Sequence, residues 1–342
     1  MTAATATRDP PITLTFSDNA LLPALYGVHG SHLARIETAL GVTVSERSGR
    51  LIVSGPAAAT AIASAALRTL YRSLEAGDAG TLADVDDALR MARVPESLDV
   101  PPLRTPLRRV EPRSPAQAAY LSAMRTHALT MGIGPAGTGK TWLAVCYGVS
   151  LLSAGSVARI VLSRPAVEAG ERLGFLPGDM KEKVDPYFRP IYDALRDVVP
   201  SEQLRRLLTT GTIEVAPLAF MRGRTLSDSF ILLDEAQNAT PMQIKMILTR
   251  LGHGSRMVVT GDPSQIDLPR DQDSGLTDAL RILNSLDEVA VVLFQGGDAL
   301  RHGLVARIIA AYEADGARIG TDVRSTRRRI NDRRGDTRHE LR

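Results

Sequence analysis

One stretch constrains the fold more than any other: a buried-strand pattern that runs into a glycine-rich turn and leaves it as a helix. The apolar run Ala128-Leu129-Thr130-Met131-Gly132-Ile133 leads into Gly134-Pro135-Ala136-Gly137-Thr138-Gly139-Lys140-Thr141, and Trp142-Leu143-Ala144-Val145-Cys146-Tyr147 continues as a helical start. The turn fits the spacing G-x-x-x-x-G-K-[ST] in full. Glycines let backbone N–H groups converge on a polyphosphate, and the helix N-terminus adds a favourable dipole. Lys140 is expected to reach the β- and γ-phosphates and Thr141 to ligate Mg²⁺. The expected cofactors are therefore ATP and Mg²⁺.

The 342 residues suffice for two domains with proper cores. Aromatic residues are only 4%, so stacking platforms for bases are few. A net charge of +3 does not by itself argue for nucleic acid. The arginines are unevenly spread, however: residues 317–342 are crowded with them and nearly devoid of apolar side chains, which predicts a disordered basic tail, either merely solvated or in contact with RNA. Cys146 is the only cysteine, which excludes an intramolecular disulfide and fits a reducing compartment. Its place on the helix after the glycine turn predicts core packing. No stretch is as long as a membrane span and no secretion signal is evident, so a cytoplasmic location without membrane attachment is expected.

Residues 1 to about 11 are small and polar and are expected to be disordered. Ile12–Phe16 alternates like a strand, and Asn19–Tyr26 is helical in pattern. Gly27-Val28-His29-Gly30 interrupts it, and Ser31 is expected to cap a helix over His32–Leu40. Val42–Ser45 and Leu51–Ser54 read as strands joined by a turn at Arg47–Arg50, and Ala57–Leu74 as a helix. This order, with G-x-x-G between two helices, resembles a KH domain, whose loop clamps the backbone of single-stranded nucleic acid. That resemblance makes Gly27 and Gly30 candidate RNA contacts; a KH-like module that binds no RNA is the alternative, because Val28-His29 lacks basic residues. Thr81–Ala92 reads as a further helix. Prolines 95, 101, 102, 106 and 112 then mark residues 95–113 as a linker between a small α+β domain, 1–94, and a second domain, 114–316.

From Ser114 apolar strands alternate with helices, the pattern of a parallel α/β sheet. Strands are expected at Leu129–Ile133, Ile160–Ser163, Ile213–Val215, Phe230–Leu233, Met257–Thr260 and Val289–Phe294. The fourth ends in Asp234-Glu235-Ala236-Gln237, and parallel sheets place ligands at the carboxyl ends of their strands. Asp234 is expected in the Mg²⁺ shell opposite Thr141, and Glu235 is placed to polarise the attacking water. The fifth ends in Thr260-Gly261-Asp262-Pro263-Ser264-Gln265, where Gln265 could bond the γ-phosphate. Gln117, upstream of the turn, offers an amide that both donates and accepts, matching an adenine edge.

Together the phosphate loop, the Asp234–Gln237 strand end and the Thr260–Gln265 strand end resemble superfamily 1 helicases. Four further strings narrow the resemblance: Arg164-Pro165-Ala166-Val167-Glu168-Ala169-Gly170-Glu171, Gly174-Phe175-Leu176-Pro177-Gly178, Ala216 through Leu226, and Arg301-His302-Gly303-Leu304-Val305. With these the chain is similar to the PhoH family of ATPases, in the long form with a KH-like N-terminal domain; Gly303 departs from the proline usual there. The resemblance implies a P-loop NTPase core of RecA-like, superfamily 1 helicase type, preceded by the small KH-like domain. It also implies ATP binding, slow hydrolysis and a link to RNA metabolism. Arg164 is a candidate RNA contact, and Arg222, Arg224 and Arg301 are candidates for a catalytic arginine finger. Superfamily 1 helicases close two cores around one ATP, whereas this chain has one. A homo-oligomer, arranged as a ring with nucleotide between subunits, is therefore expected.

The function read from these features is a Mg²⁺-dependent ATPase coupled to RNA binding or remodelling. The alternative is an ATP-switched RNA-binding adaptor that recruits a ribonuclease or a ribosome-maturation factor without unwinding. A metabolic P-loop kinase is disfavoured because no acceptor-substrate signature is apparent. No acidic cluster outside the ATP site suggests an intrinsic nuclease.

Overall fold

The computed structural model describes residues 10–77, 79–93, 100–165, 180–269, 272–298 and 308, with the backbone alone for 180–186. All but Ile308 belong to one compact unit, Met1–Asp298; the other unit is Ala299–Arg342. The readings placed on residues 1–9, on Ala166–Glu171 and Gly174–Gly178, on Arg301 and its neighbours, and on the basic tail lie outside the described residues.

The N-terminal part runs β1 (Ile12–Thr15), α1 (Leu22–Tyr26), α2 (Ser31–Leu40), β2 (Thr43–Arg47), β3 (Arg50–Ser54), α3 (Ala57–Glu75) and α4 (Leu82–Met91). The strands form an antiparallel sheet in the order β1-β3-β2. Arg47 pairs with Arg50 around Ser48 and Gly49, both at positive φ, as a two-residue hairpin turn requires. Alternation puts Leu14, Leu51 and Val53 on the face that packs against Leu67, Leu70 and Val85 of the helices. Thr81 caps α4 in a reciprocal box with Asp84. Two local readings change. The stretch read as one helix from Asn19 opens as a 3₁₀ turn, Asn19–Leu21, capped by Asp18, before α1 begins. Ser31 is not the cap of α2: Gly30 takes that position in the left-handed conformation, which turns the chain, and Ser31 is the first helical residue.

Part of the stretch read as a linker is built into the second core. β4 (Leu103–Arg104) and β5 (Arg109–Val110) pair antiparallel, and Leu103 and Val110 are buried against residues of the helix that follows the glycine turn. The prolines limit this ribbon to two residue pairs without preventing it.

The remaining elements are α5 (Pro115–Thr126), β6 (Leu129–Ile133), α6 (Lys140–Ser153), β7 (Arg159–Arg164), α7 (Met180–Val198), α8 (Ser201–Thr209), β8 (Ile213–Pro217), β9 (Ser229–Leu233), α9 (Pro241–Leu248), β10 (Arg256–Gly261), α10 (Gly275–Leu283) and β11 (Val289–Leu293). All strand pairs are parallel, in the order β11-β6-β10-β9-β7-β8. Both faces are covered, which explains the near-continuous apolar character of β6 and β9. One face packs Tyr120, Leu143, Val145, Phe188 and Ile191 against Phe230 and Leu232. The other packs Ile244, Ile247 and Leu276 against Met131, Ile231 and Leu233. Since β10 lies between β6 and β9, the glycine turn and the acidic strand end face each other across the width of one strand. No helix of the described residues is long and apolar enough to cross a membrane.

Cys146 is fully buried on α6, and burial pushes its thiol far above the ordinary range. A thiol alkylating reagent is expected to leave the native protein unmodified and to label it once only after denaturation, read by intact mass. Labelling of the native chain at the unfolded rate would contradict this placement.

Candidate nucleotide site

β6 delivers the chain to the carboxyl edge of the sheet, where the glycine turn reverses it into α6. Gly137 and Gly139 sit at φ 82° and 86°, where a side chain is strained, so glycine is needed for the loop to close on itself. Gly139 occupies the cap position of α6 and no side chain caps the helix. Its first N–H groups are thus left for an anion. Lys140 folds back over the loop, its Nζ donating to Gly134 O at 2.6 Å and Pro135 O at 2.8 Å.

Across the edge, Asp234 is only 1% exposed. Its Oδ1 accepts from the Thr141 hydroxyl at 2.6 Å and from the Thr260 hydroxyl at 2.5 Å. Its Oδ2 accepts from Arg164 Nε at 2.7 Å, with Arg164 Nη2 at 2.6 Å. Glu235 follows in the left-handed conformation, φ 54°. Such backbone costs a non-glycine residue about 1–3 kcal/mol and gathers at functional sites. Gln237 holds it in place: the amide donates to Glu235 Oε2 at 2.5 Å and accepts from Asp262 N at 3.0 Å, bridging the ends of β9 and β10. Gln237 received no role from the sequence, although it lies in the quoted strand-end string.

Lys140, Thr141, Arg164, Asp234, Glu235 and Asp262 share a cavity of ≈ 310 Å³ with residues of the loop. Two cations and three acids are thus gathered where the sheet's strand order reverses, the usual ligand position in such folds. The group implied here, a magnesium nucleotide, fits these side chains. The uncapped α6 start and Lys140 suit phosphates, and the Thr141–Asp234 pair suits a cation that takes few protein ligands.

Other expected residues fall elsewhere. Gln117 is 3% exposed with both ends of its amide engaged: Oε1 accepts from Arg113 N at 2.8 Å and Nε2 donates to Thr138 O at 3.0 Å. It braces the phosphate loop from the α5 side. Gln265 is exposed and outside the cavity lining, its Nε2 donating to Asp262 Oδ2 at 2.8 Å. Arg224 is committed to Glu214 through two bonds of 2.7 Å each. Those bonds lower the Glu214 carboxyl and raise the Arg224 guanidinium. The contribution of Glu214 to stability is complete above the ordinary glutamate range and is lost as pH falls through its depressed value. Arg222 is exposed and makes no side-chain bond among the described residues. Gly27 has a packing reason to be glycine: at φ 74°, a methyl there would lie 2.6 Å from His32 Cγ. Gly30 faces open space.

A parallel sheet carrying a glycine phosphate loop at one strand end and an acidic pair two strands away is consistent with a P-loop protein of RecA-like architecture. A family model described as "PhoH-like protein" matches residues 109–313. The PhoH-like protein of Bacillus subtilis (strain 168) is 45% identical over 303 residues, 86% of this chain and 94% of its own length. That of Mycobacterium leprae (strain TN) is 45% identical over 298 residues, 85% of each. Protein PhoH of Escherichia coli (strain K12) is 42% identical over 228 residues, 66% of this chain and 62% of its own. The chain belongs to the PhoH-like family. Membership supports nucleotide binding and ATPase activity in general terms.

The brace by Gln117 is testable. Gln117→Ala removes both buried bonds and is expected to weaken ATP binding about tenfold without changing the preference for ATP over GTP, measured by titration calorimetry. A loss confined to ATP, with GTP binding unchanged, would assign the amide to adenine instead.

Proposed function

We propose that this protein is a Mg²⁺-dependent ATPase whose hydrolysis is coupled to RNA binding or remodelling. The observation that carries this is the direct Thr141–Asp234 bond, 2.6 Å, which joins the phosphate loop to the acidic strand end with Glu235 beside it. When bound, Mg²⁺ would neutralise phosphate charge between Thr141 and Asp234. Lys140 leaves the loop carbonyls for the β- and γ-phosphates. Glu235 orients and deprotonates the attacking water. Gln265 acts through Asp262, reporting the γ-phosphate to the loop after β10. With Arg224 tied to Glu214, Arg222 and Arg301 are the arginines to offer to a neighbouring subunit's phosphates. That role fits a ring-shaped homo-oligomer with nucleotide between protomers.

RNA enters through the family resemblance and the N-terminal module. Its β-α-α-β-β-α order and open Gly30 suit a KH-type grip on single-stranded RNA. A cytoplasmic place beside ribonucleases or ribosome-maturation factors accords with that reading.

The test is the ATPase rate of the wild type and of Glu235→Gln, with and without single-stranded RNA. Stimulation of the wild type alone is the expected result. RNA binding that depends on nucleotide, with no stimulation and no strand displacement, would make the protein an adaptor instead.

A further inference from the structure

Asp234 is saturated. A carboxylate offers about four acceptor positions, and here two hydroxyls occupy Oδ1 while Arg164 Nε and Nη2 occupy Oδ2. A cation shell at this carboxylate therefore requires that one donor leave. The Thr141 and Thr260 hydroxyls are neutral: Thr260 is buried on β10, and Thr141, which lines the same cavity, is itself read as a metal ligand. Arg164 is the cation, and it lines the cavity.

Its setting also gives Arg164 somewhere to go. Nη1 donates to Tyr187 O at 2.6 Å, and Nη2 already lies 3.4 Å from Glu235 Oε1. Tyr187 lies on α7, where Pro190, itself at the cavity wall, has no N–H to give the helix. That missing N–H would have gone to the carbonyl of Pro186, the residue before Tyr187, so the ladder is loosened beside the carbonyl that Arg164 uses. Arg164 could thus release Asp234 and keep two partners.

A buried ion pair is a poor source of stability, because desolvating both charges offsets their attraction. Arg164 is 13% exposed and Asp234 2% by side chain, so both are desolvated. The arginine keeps a buried carboxylate compensated.

We infer that Arg164 is a positioning residue that acts as a resident counter-cation: it holds Asp234 while no metal is present and is displaced from that carboxylate when the metal nucleotide enters. The inference rests on the metal role given to Asp234 above. It makes metal entry a competition between two cations for one carboxylate, and it ties that exchange to α7 through Tyr187.

The experiment is equilibrium binding of Mn²⁺ alone to the full chain, followed by electron paramagnetic resonance. The chains compared are the wild type, Arg164→Gln, Arg164→Lys and Asp234→Asn. Removing the competing charge is expected to tighten Mn²⁺ binding about tenfold in Arg164→Gln, of the order a neighbouring charge shifts such equilibria. Arg164→Lys keeps a charge but not the fork and should fall between that variant and the wild type. Mn²⁺ affinity unchanged or weakened in both Arg164 variants, with binding still lost in Asp234→Asn, overturns the competition while leaving the metal role intact. Binding that survives Asp234→Asn places the ion elsewhere and removes the metal role, and this inference with it. A purely structural Arg164 would lower the melting temperature of its variants without raising Mn²⁺ affinity. If Arg164→Gln does not fold, Arg164→Lys decides by the same reading.

Discussion

Glu235→Gln is expected to cut steady-state ATP turnover by about 10²–10⁴-fold, the usual contribution of a positioned general base, while ATP affinity changes by less than a few-fold. The amide keeps the size of the carboxylate and can still accept from Gln237 Nε2, so the loop after β9 should hold its left-handed turn. It cannot take a proton from water. Because Glu235 is the more exposed of the two acids, 44% by side chain against 2% for Asp234, it is the one open to a water in the cavity. Rapid-quench hydrolysis beside nucleotide titration checks this. Equal losses in binding and turnover would show that Glu235 shapes the pocket instead of acting on water.

Gly134→Ala is expected to destabilise the fold by about 3 kcal/mol or more, through overpacking and disallowed backbone together. At φ 146° the residue leaves β6 directly beside the end of β11. A methyl group there would overlap Phe294 O and lie 2.8 Å from Phe294 Cβ, while Phe294 N donates to Ile133 O at 2.7 Å. The backbones of two neighbouring strands cannot both stay in place. At roughly 2–4 °C per kcal/mol for a domain of this size, the apparent melting midpoint should fall by about 10 °C. Gly155→Ala is the control: φ 68° is also left-handed, but nothing lies within 4 Å, so only the backbone cost of about 1–2 kcal/mol applies. Equal midpoints for the two variants would refute the steric account of Gly134.

What could be read from the chain alone was what is local. The glycine spacing with Lys140 and Thr141 encodes one turn, and the six apolar runs after Ser114 match strands within two residues of those found. Asp234 and Glu235 were legible because a strand that ends in acids must present them at the sheet edge. The roles that needed partners were not. Arg164 lies 70 residues from Asp234 in sequence, and nothing before folding says that β7 and β9 are neighbours. Gln117 resembled a free amide until α5 packed beneath the loop and gave both its ends backbone partners. Arg224 was one of several exposed-looking arginines until Glu214, ten residues earlier on β8, closed on it. The hairpin at 103–110 was hidden by its prolines, whose composition speaks of a linker while Leu103 and Val110 supply the anchors.

The α7 connection links these findings. Trp142 Nε1 donates to Asp197 Oδ2 at 3.1 Å, so α6, which starts at the phosphate loop, is tied to the same helix that holds Arg164. Loop, acid and helix are therefore coupled mechanically before any ligand arrives.

The central claim is that a magnesium triphosphate is gripped between the Lys140 turn and the Asp234–Glu235 carboxylates. Filter binding of radiolabelled ATP with Mg²⁺, on the wild type and on Lys140→Ala, tests it most directly. The account predicts saturable binding by the wild type and a loss of at least about a hundredfold in the variant, the scale of removing a buried charge-assisted contact. Equal binding by both chains would contradict it.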